Sequence, residues 1–302
     1  MKILVTGGAG RLGRSTLDAL DRAGHDVVCV DRAPAPGFAG RQADIDLLHP
    51  SHFSDFVAEE RPDAIVHLAA IAVPFSAPEG VILDTNTRLA FTVLDAAREH
   101  GVPRALAASS PTVIGYGSPA GWVPDFLPID ERHSTRPWNA YALSKQLVES
   151  MVAMFARQQS TTVFGAFRAC FVISPGEWSG EPTQQGHTVA ERLRDPALAA
   201  VALFNYVDAR DAAAFVLAWL ERAGQPQNGA VYFVGADDAL ATEPLDALLP
   251  RFLPGVDASA LGAAAPAFSS AAAKRDFGWA PAHGWRTELD AAALAALGVA
   301  AS

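Results

Sequence analysis

Lys2-Ile-Leu-Val-Thr-Gly-Gly-Ala-Gly-Arg-Leu-Gly13 joins a short apolar run to the start of a helical pattern through a glycine-rich turn. Ile3, Leu4 and Val5 read as a buried strand, and Ser15 to Leu20 continues as a helix. Between them Gly8, Gly10 and Gly13 spell G-x-G-x-x-G, and Gly7, Gly10 and Gly13 spell the wider G-x-x-G-x-x-G. Glycine at such places permits positive φ, close approach of backbone to a pyrophosphate, and tight packing of helix on strand. The helix start adds unpaired N–H groups and a partial positive charge. A second strand, His25-Asp-Val-Val-Cys-Val30, ends in Asp31. That carboxylate falls about 20 residues on, where it can accept bonds from an adenosine ribose. Gly7, Gly10, Arg11, Leu12, Gly13 and Asp31 are therefore candidate cofactor-binding residues, and the sequence predicts a dinucleotide-binding turn.

The rest of the chain alternates in the same way. Apolar β runs at 2–6, 26–30, 64–69, 104–109 and 162–171 are separated by helical patterns at 12–23, 51–60, 80–100 and 140–158, with Gly24 and Gly101 placed as C-terminal caps. Such alternation predicts an α/β fold: a Rossmann-type, doubly wound parallel sheet with helices on both faces. The link from Pro111 to Pro137 is rich in Pro and Gly, and its length predicts a lid or a binding wall. Beyond residue 171 the pattern weakens, with helices expected near 209–222, 242–251 and 286–297 and a strand at 230–234. Residues 1–171 are thus expected to form the nucleotide-binding domain. Residues 172–302 are expected to form a smaller, mainly substrate-binding region, partly interleaved near 205–235. The stretch from Ala258 to Ala273 is alanine-rich but keeps apolar anchors.

Composition limits the function classes. With 302 residues, half of them hydrophobic and 19% charged, the chain can bury a full core, and it has no apolar run of about 18 residues to span a bilayer. A net charge of −10 without a basic cluster argues against nucleic acid or an anionic membrane as partner. The N-terminus enters a strand at once, with no basic region or cleavage site of a secretory signal, so a cytoplasmic protein is expected. Cys29 and Cys170 lie in apolar runs without metal-site spacing; they read as buried, reduced thiols, and no metal is expected.

Chemistry enters with Tyr141-Ala-Leu-Ser-Lys145, which sets a phenol and an ammonium one helical turn apart on one face. A free phenol, with a pKa of about 10, is a poor base at neutral pH. A nearby ammonium and an oxidised nicotinamide are expected to stabilise its phenolate, so that it exchanges a proton with a substrate hydroxyl while hydride moves. The strand over 104–109 leads into Ser109-Ser110, at the edge where open α/β sheets bind ligands. A hydroxyl there can orient the reacting oxygen.

These features resemble the extended short-chain dehydrogenases/reductases of the NAD-dependent epimerase/dehydratase family. The resemblance rests on Thr6 to Gly13, Asp44-Ile45, His67-Leu-Ala-Ala70, Asn86, Ser109-Ser110, Tyr141 to Lys145, Arg168, and Tyr206-Val-Asp-Ala-Arg-Asp211. The ending Ala273 to Pro281 resembles the family's K-x-x-x-G-W-x-P helix and turn. The resemblance implies that Asp44 and Ile45 border the adenine, and that Leu68, Ala69 and Ala70 line the cofactor cleft. Asn86 would support the site, with Tyr141 and Lys145 also touching the cofactor. Counting back from Val113-Ile114-Gly115, which stands for the family's V-Y-G, selects Ser110 as the catalytic serine. Ile114 replaces the tyrosine of that motif.

Asp31 favours NAD over NADP, because a carboxylate repels a 2′-phosphate, although Arg11 and Arg32 could soften this. The substrate is less constrained. Phe171 occupies the place of the asparagine in the R-x-x-N-x-x-G of nucleotide-sugar epimerases. The 30 residues between Pro175 and Tyr206 contain only Arg192 and Arg194 as cations, an incomplete diphosphate clamp. A partial resemblance to uronate dehydrogenase-like members points to a free sugar instead. Three readings stay open. The favoured one is an NAD-dependent dehydrogenase or reductase acting at a secondary alcohol, carbonyl or hemiacetal of a sugar-like small molecule. The others are a nucleotide-sugar epimerase that recycles its NAD, and a non-catalytic cofactor-binding protein. By resemblance a homodimer is expected, pairing the helices at 80–100 and 140–158.

Overall fold

Ile3, Leu4 and Val5 are completely buried in β1 (Lys2–Thr6), the strand from which the architecture grows. The computed structural model describes residues 1–158, 161–224, 226–262 and 265–299. Its other strands are β2 (Asp26–Val30), β3 (Arg41–Ala43), β4 (Ala64–His67), β5 (Arg104–Ser109), β6 (Val163–Ala169), β7 (Val172–Ile173), β8 (Val207–Asp208) and β9 (Val231–Val234). Seven of them form one sheet in the order β3-β2-β1-β4-β5-β6-β9, with every pairing parallel. Val5 sits opposite Cys29 on one side and Val66 on the other. Strand order reverses between β1 and β4, so their carboxyl ends open a crevice at the switch point.

Both sheet faces are covered, which is why the central strands read as unbroken apolar runs. Ile3 and Val5 point into one layer, against Leu17 and Leu20 of α1 (Arg11–Arg22). Leu4 points into the other, with residues of α2 (Pro50–Glu60), α3 (Glu79–Glu99) and α4 (Ala140–Ala156) such as Val57, Val93 and Phe155. This is the two-residue alternation of a strand.

The remaining helices are α5 (Pro175–Trp178), α6 (Val189–Arg194), α7 (Pro196–Ala200), α8 (Ala209–Arg222), α9 (Leu245–Phe252), α10 (Ala271–Phe277), α11 (Trp285–Glu288) and α12 (Ala291–Ala296). Helix α8 packs beside α1 and β9 extends the main sheet, so part of the carboxyl region is woven into the layers of that sheet. β7 and β8 pair separately, over a satellite core of Phe171, Ile173, Trp178, Leu193, Tyr206 and Trp285.

Several elements depart from the sequence reading. The short edge strand β3 has two exposed residues and no apolar run to mark it. The helix expected over 286–297 is two helices, because Leu289 turns extended and Asp290 starts afresh by accepting the Ala293 N–H. The long link holds one helical turn at 111–114 and is then pinned across the molecule: the Ile129 N–H reaches the Ala267 carbonyl, and the Phe233 N–H reaches the Glu131 carboxylate. Of the alanine-rich 258–273 stretch, residues 263 and 264 lie outside the described residues; 271–273 begin α10.

The join between layers is tight at Gly165 in β6, where the indole of Trp219 from α8 lies over the backbone. A Cβ added there would stand 2.6 Å from the ring. Gly165→Ala is therefore expected to destabilise the protein by about 1–3 kcal/mol, as overpacking of a core does. A urea or thermal midpoint equal to the parent's would contradict that packing.

Candidate functional site

At the switch point lies a cleft of about 580 Å³, within the range of small-molecule sites. Its floor is the β1–α1 turn. Gly7 has φ +74°, and a Cβ on it would fall 2.5 Å from the Ala69 nitrogen in the loop after β4. A Cβ on Gly13 would fall 2.2 Å from the Gly7 carbonyl oxygen. Gly7, Gly10, Arg11, Leu12 and Gly13 all line the cleft. Gly10 gives α1 no side-chain cap, so first-turn N–H groups are left for a ligand. At the rim the Asp31 carboxylate is held by two backbone donors, Ala9 N–H (3.0 Å) and Ala33 N–H (3.1 Å). An uncapped helix end beside side-chain-free backbone, with a fixed carboxylate in the same cleft, fits a dinucleotide. Arg11, which faces this floor, is already paired with Glu177 of α5.

Leu68, Ala69, Ala70 and Ile45 also line the cleft. Asp44 does not: it is exposed, and Asp46, two residues on, lies in the wall instead. Asn86 is likewise behind the wall. Its amide accepts from the Ile71 N–H (2.8 Å) and donates to the Ile71 carbonyl (3.2 Å) and to Ser144 Oγ (3.1 Å). With its bonding capacity used in this way, Asn86 is a strut tying the loop after β4 to α4 rather than a group that touches a ligand.

The chemical groups come from β5 and α4. Asn139 caps α4 by accepting the Ala142 N–H (2.9 Å), so Tyr141 and Lys145 sit in its first two turns, both buried and both in the cleft. The Tyr141 hydroxyl feels Ser110, which favours its ionised form, and Ser110 Oγ accepts from Thr112 Oγ1 (3.0 Å). Ser109 turns the other way and donates to Glu149 Oε1 (2.6 Å), a carboxylate that also binds the buried Arg168. Lys145 Nζ donates to the Ala108 carbonyl (2.9 Å) and lies 5.8 Å from the Tyr141 ring centroid.

Burial dominates the electrostatics. It pushes the Tyr141 phenol up to about 12, against the opposing influence of Ser110, and pulls the Lys145 ammonium down to about 8. In the protein alone the phenol therefore keeps its proton, because burial outweighs the influence of Ser110. His67, bonded to Thr6 Oγ1 (2.8 Å), is held neutral by burial and then by Lys145, with its pKa pushed down to about 3.

Tyr116, Cys170, Phe171, Gln184, Gln185, Val201 and Ala202 line the cleft as well. Tyr116 is the residue that sequence reading missed. Ile114, at the motif position, is fully buried, while Tyr116 two residues later reaches the cleft, where Asn205 acts on its phenol. Asn205 in turn accepts the Phe171 N–H (2.9 Å). Both cysteines are free and buried, and burial raises their thiols. Among the described residues no helix is long and apolar enough to cross a membrane.

Comparison with known proteins gives the family. The NAD dependent epimerase/dehydratase family matches residues 3–235. A UDP-glucose 4-epimerase of Corynebacterium glutamicum is 33% identical over 162 residues, 52% of this chain and 47% of that one. A uronate dehydrogenase of Pseudomonas syringae pv. tomato is 32% identical over 157 residues, 51% of this chain and 54% of the other. The chain thus spans about half the length of the curated relatives it matches. A short-chain dehydrogenase/reductase superfamily protein from Agrobacterium tumefaciens, solved with bound NAD, superposes with a TM-score of 0.73 at 23% identity, over 98% of this chain and 97% of that one. That last likeness is one of fold. With the family matched from β1 through β9, this chain belongs to the NAD dependent epimerase/dehydratase family.

Proposed function

We propose that the protein is an NAD-dependent oxidoreductase of the extended short-chain dehydrogenase type, acting at a secondary alcohol, carbonyl or hemiacetal of a sugar-like small molecule. The observation that carries this reading is that Ser110, Tyr141 and Lys145 come together in the same cleft as the glycine turn. Residues 1–171 would hold the cofactor and 172–302 would mainly shape the substrate end. Bound NAD supplies a hydride acceptor, or a donor once reduced, and the rest falls to the chain. The Gly7–Gly13 turn and the start of α1 would hold the pyrophosphate, and Asp31 the adenosine ribose, favouring NAD over NADP. Ser110 would hold the reacting oxygen. Tyr141, protonated in its buried setting, is ready to give a proton to a carbonyl oxygen; in the oxidising direction it must first lose that proton, helped by Lys145. Exposed Phe91, Leu143 and Met154 on α3 and α4 support pairing of two copies through those helices.

A second reading, nucleotide-sugar epimerisation with the cofactor recycled in place, is favoured by the match to a UDP-glucose 4-epimerase. Net formation of NADH from NAD with sugars or sugar acids supports the first reading. Sugar-nucleotide isomerisation without free NADH supports the second. Under either, Tyr141→Phe is expected to lower turnover by about 10²–10⁴-fold while NAD binding stays close to the parent's. Turnover equal to the parent's would contradict the role given to Tyr141, and no turnover by the parent with either substrate class would favour a non-catalytic role.

Lys145 also makes a prediction about stability. Its ammonium titrates near 8 in the folded chain, against 10.5 for a free lysine. Below pH 8 both states hold the proton and the full penalty of burying it is present; between pH 8 and 10.5 the unfolded chain binds more protons, so stability rises with pH. Lys145→Met is expected to be more stable than the parent near pH 7, by up to about 3 kcal/mol, with the gap closing toward pH 10.5. Thermal unfolding across this range checks it; a gap that ignores pH, or a variant weaker at pH 7, contradicts it.

A further inference from the structure

Glu177 of α5 is only 2% exposed, and it meets its counter-charge in Arg11, the first residue of α1. Arg11 lines the cleft and directly follows Gly10, which leaves that helix end without a side-chain cap. The pair is not saturated: Arg11 Nε and Glu177 Oε2 are both buried without a hydrogen-bond partner among the described residues. A buried carboxylate with one oxygen unused costs free energy, and a neutral amide of the same shape would meet the guanidinium at a smaller penalty. Glu149 shows the contrast. Both of its oxygens accept from the Arg168 guanidinium, and Ser109 adds a third bond. Fold stability therefore does not explain why position 177 carries a charge.

Its place does. The start of α1 offers unpaired N–H groups and a partial positive charge, and the Arg11 guanidinium adds a full one beside it. Together they would grip a pyrophosphate hard. Glu177 cancels the larger of the two charges. Arg14 and Glu181, which also act on Arg11, are opposite in sign, so these four charges sum to zero. We propose that Glu177 is a positioning residue that tempers the hold on the cofactor: it keeps Arg11 in a neutral pair and leaves the pyrophosphate to backbone donors, so that the dinucleotide exchanges with solvent between turnovers. The inference rests on reading the Gly7–Gly13 turn as a dinucleotide site. It deepens the first of the two functional readings, because net oxidation or reduction needs a cofactor that leaves, whereas epimerisation in place does not.

The test is calorimetric titration of the purified protein, stripped of bound nucleotide, with NAD, ADP-ribose and adenosine, joined to stopped-flow measurement of NADH release. Adenosine lacks the pyrophosphate and reports whether the rest of the site is intact. Glu177→Gln keeps an oxygen for Arg11 but no charge. It is expected to bind NAD and ADP-ribose tighter by about tenfold, to release NADH more slowly in proportion, and to bind adenosine as the parent does. The double variant Arg11→Gln/Glu177→Gln restores neutrality and is expected to bind NAD within about threefold of the parent. NAD binding by Glu177→Gln that equals or falls below the parent's, with adenosine binding intact, overturns the inference, and so does tightening that extends to adenosine. Where Glu177→Gln loses adenosine binding as well, the double variant decides: NAD binding about tenfold weaker than the parent's would show that Arg11 itself grips the pyrophosphate, against the inference. A parent that binds neither NAD nor ADP-ribose would sink the cofactor reading and the inference together, whereas a parent that binds NAD just as Glu177→Gln does sinks the inference alone.

Discussion

Contact of backbone with backbone at the β1–α1 turn is the constraint on which the rest of the structure depends. The Gly13 Cα meets the Gly7 carbonyl and the Gly8 backbone so closely that no side chain fits between them, and Gly7 is equally close to Ala69. This closeness brings the start of α1 against the ends of β1 and β4, at the point where the strand order reverses. Wider turns would fill the crevice with side chains and move the α1 N–H groups away from its floor. The same approach orients Asp31, since the Ala9 N–H inside the turn is one of the two donors that hold it.

Above that floor the site is built from buried polar groups whose charges are deliberately few. Tyr141 and His67 are kept neutral by desolvation, and Lys145 is kept only weakly basic. One full ion pair, Glu149–Arg168, engages the Ser109 hydroxyl, while Ser110 acts on Tyr141. In so dry a setting the proton on the phenol is sensitive to any charge that enters. Burying the ammonium of Lys145 in this way costs stability.

Much of this was legible in the sequence because it is local. The strand–glycine–helix unit, the Tyr141–Lys145 spacing and the serine at the end of β5 are each set within a few residues, and the doubly wound sheet follows from the alternation of strand and helix. What the sequence could not give depends on contacts between distant segments. β3 is a strand only because β2 lies beside it. Asn86 looks like a site residue until Ile71 and Ser144 are seen to occupy it. Asp44 and Asp46 differ only in which way a loop turns. Tyr116 joins the wall only where folding sets it in one cleft with Cys170 and Phe171, more than fifty residues later in the numbering. Glu177 lies in a segment of weak pattern; its pairing with Arg11 is visible only once the chain is folded.

The central claim, that the Gly7–Gly13 turn and Asp31 form an NAD site, is tested most directly by calorimetric titration of the purified protein with NAD and with NADP. The account predicts saturable binding of NAD at one site per chain, with NADP weaker by about tenfold or more because its 2′-phosphate meets the Asp31 carboxylate. No NAD binding, or NADP binding as tightly as NAD, would contradict it.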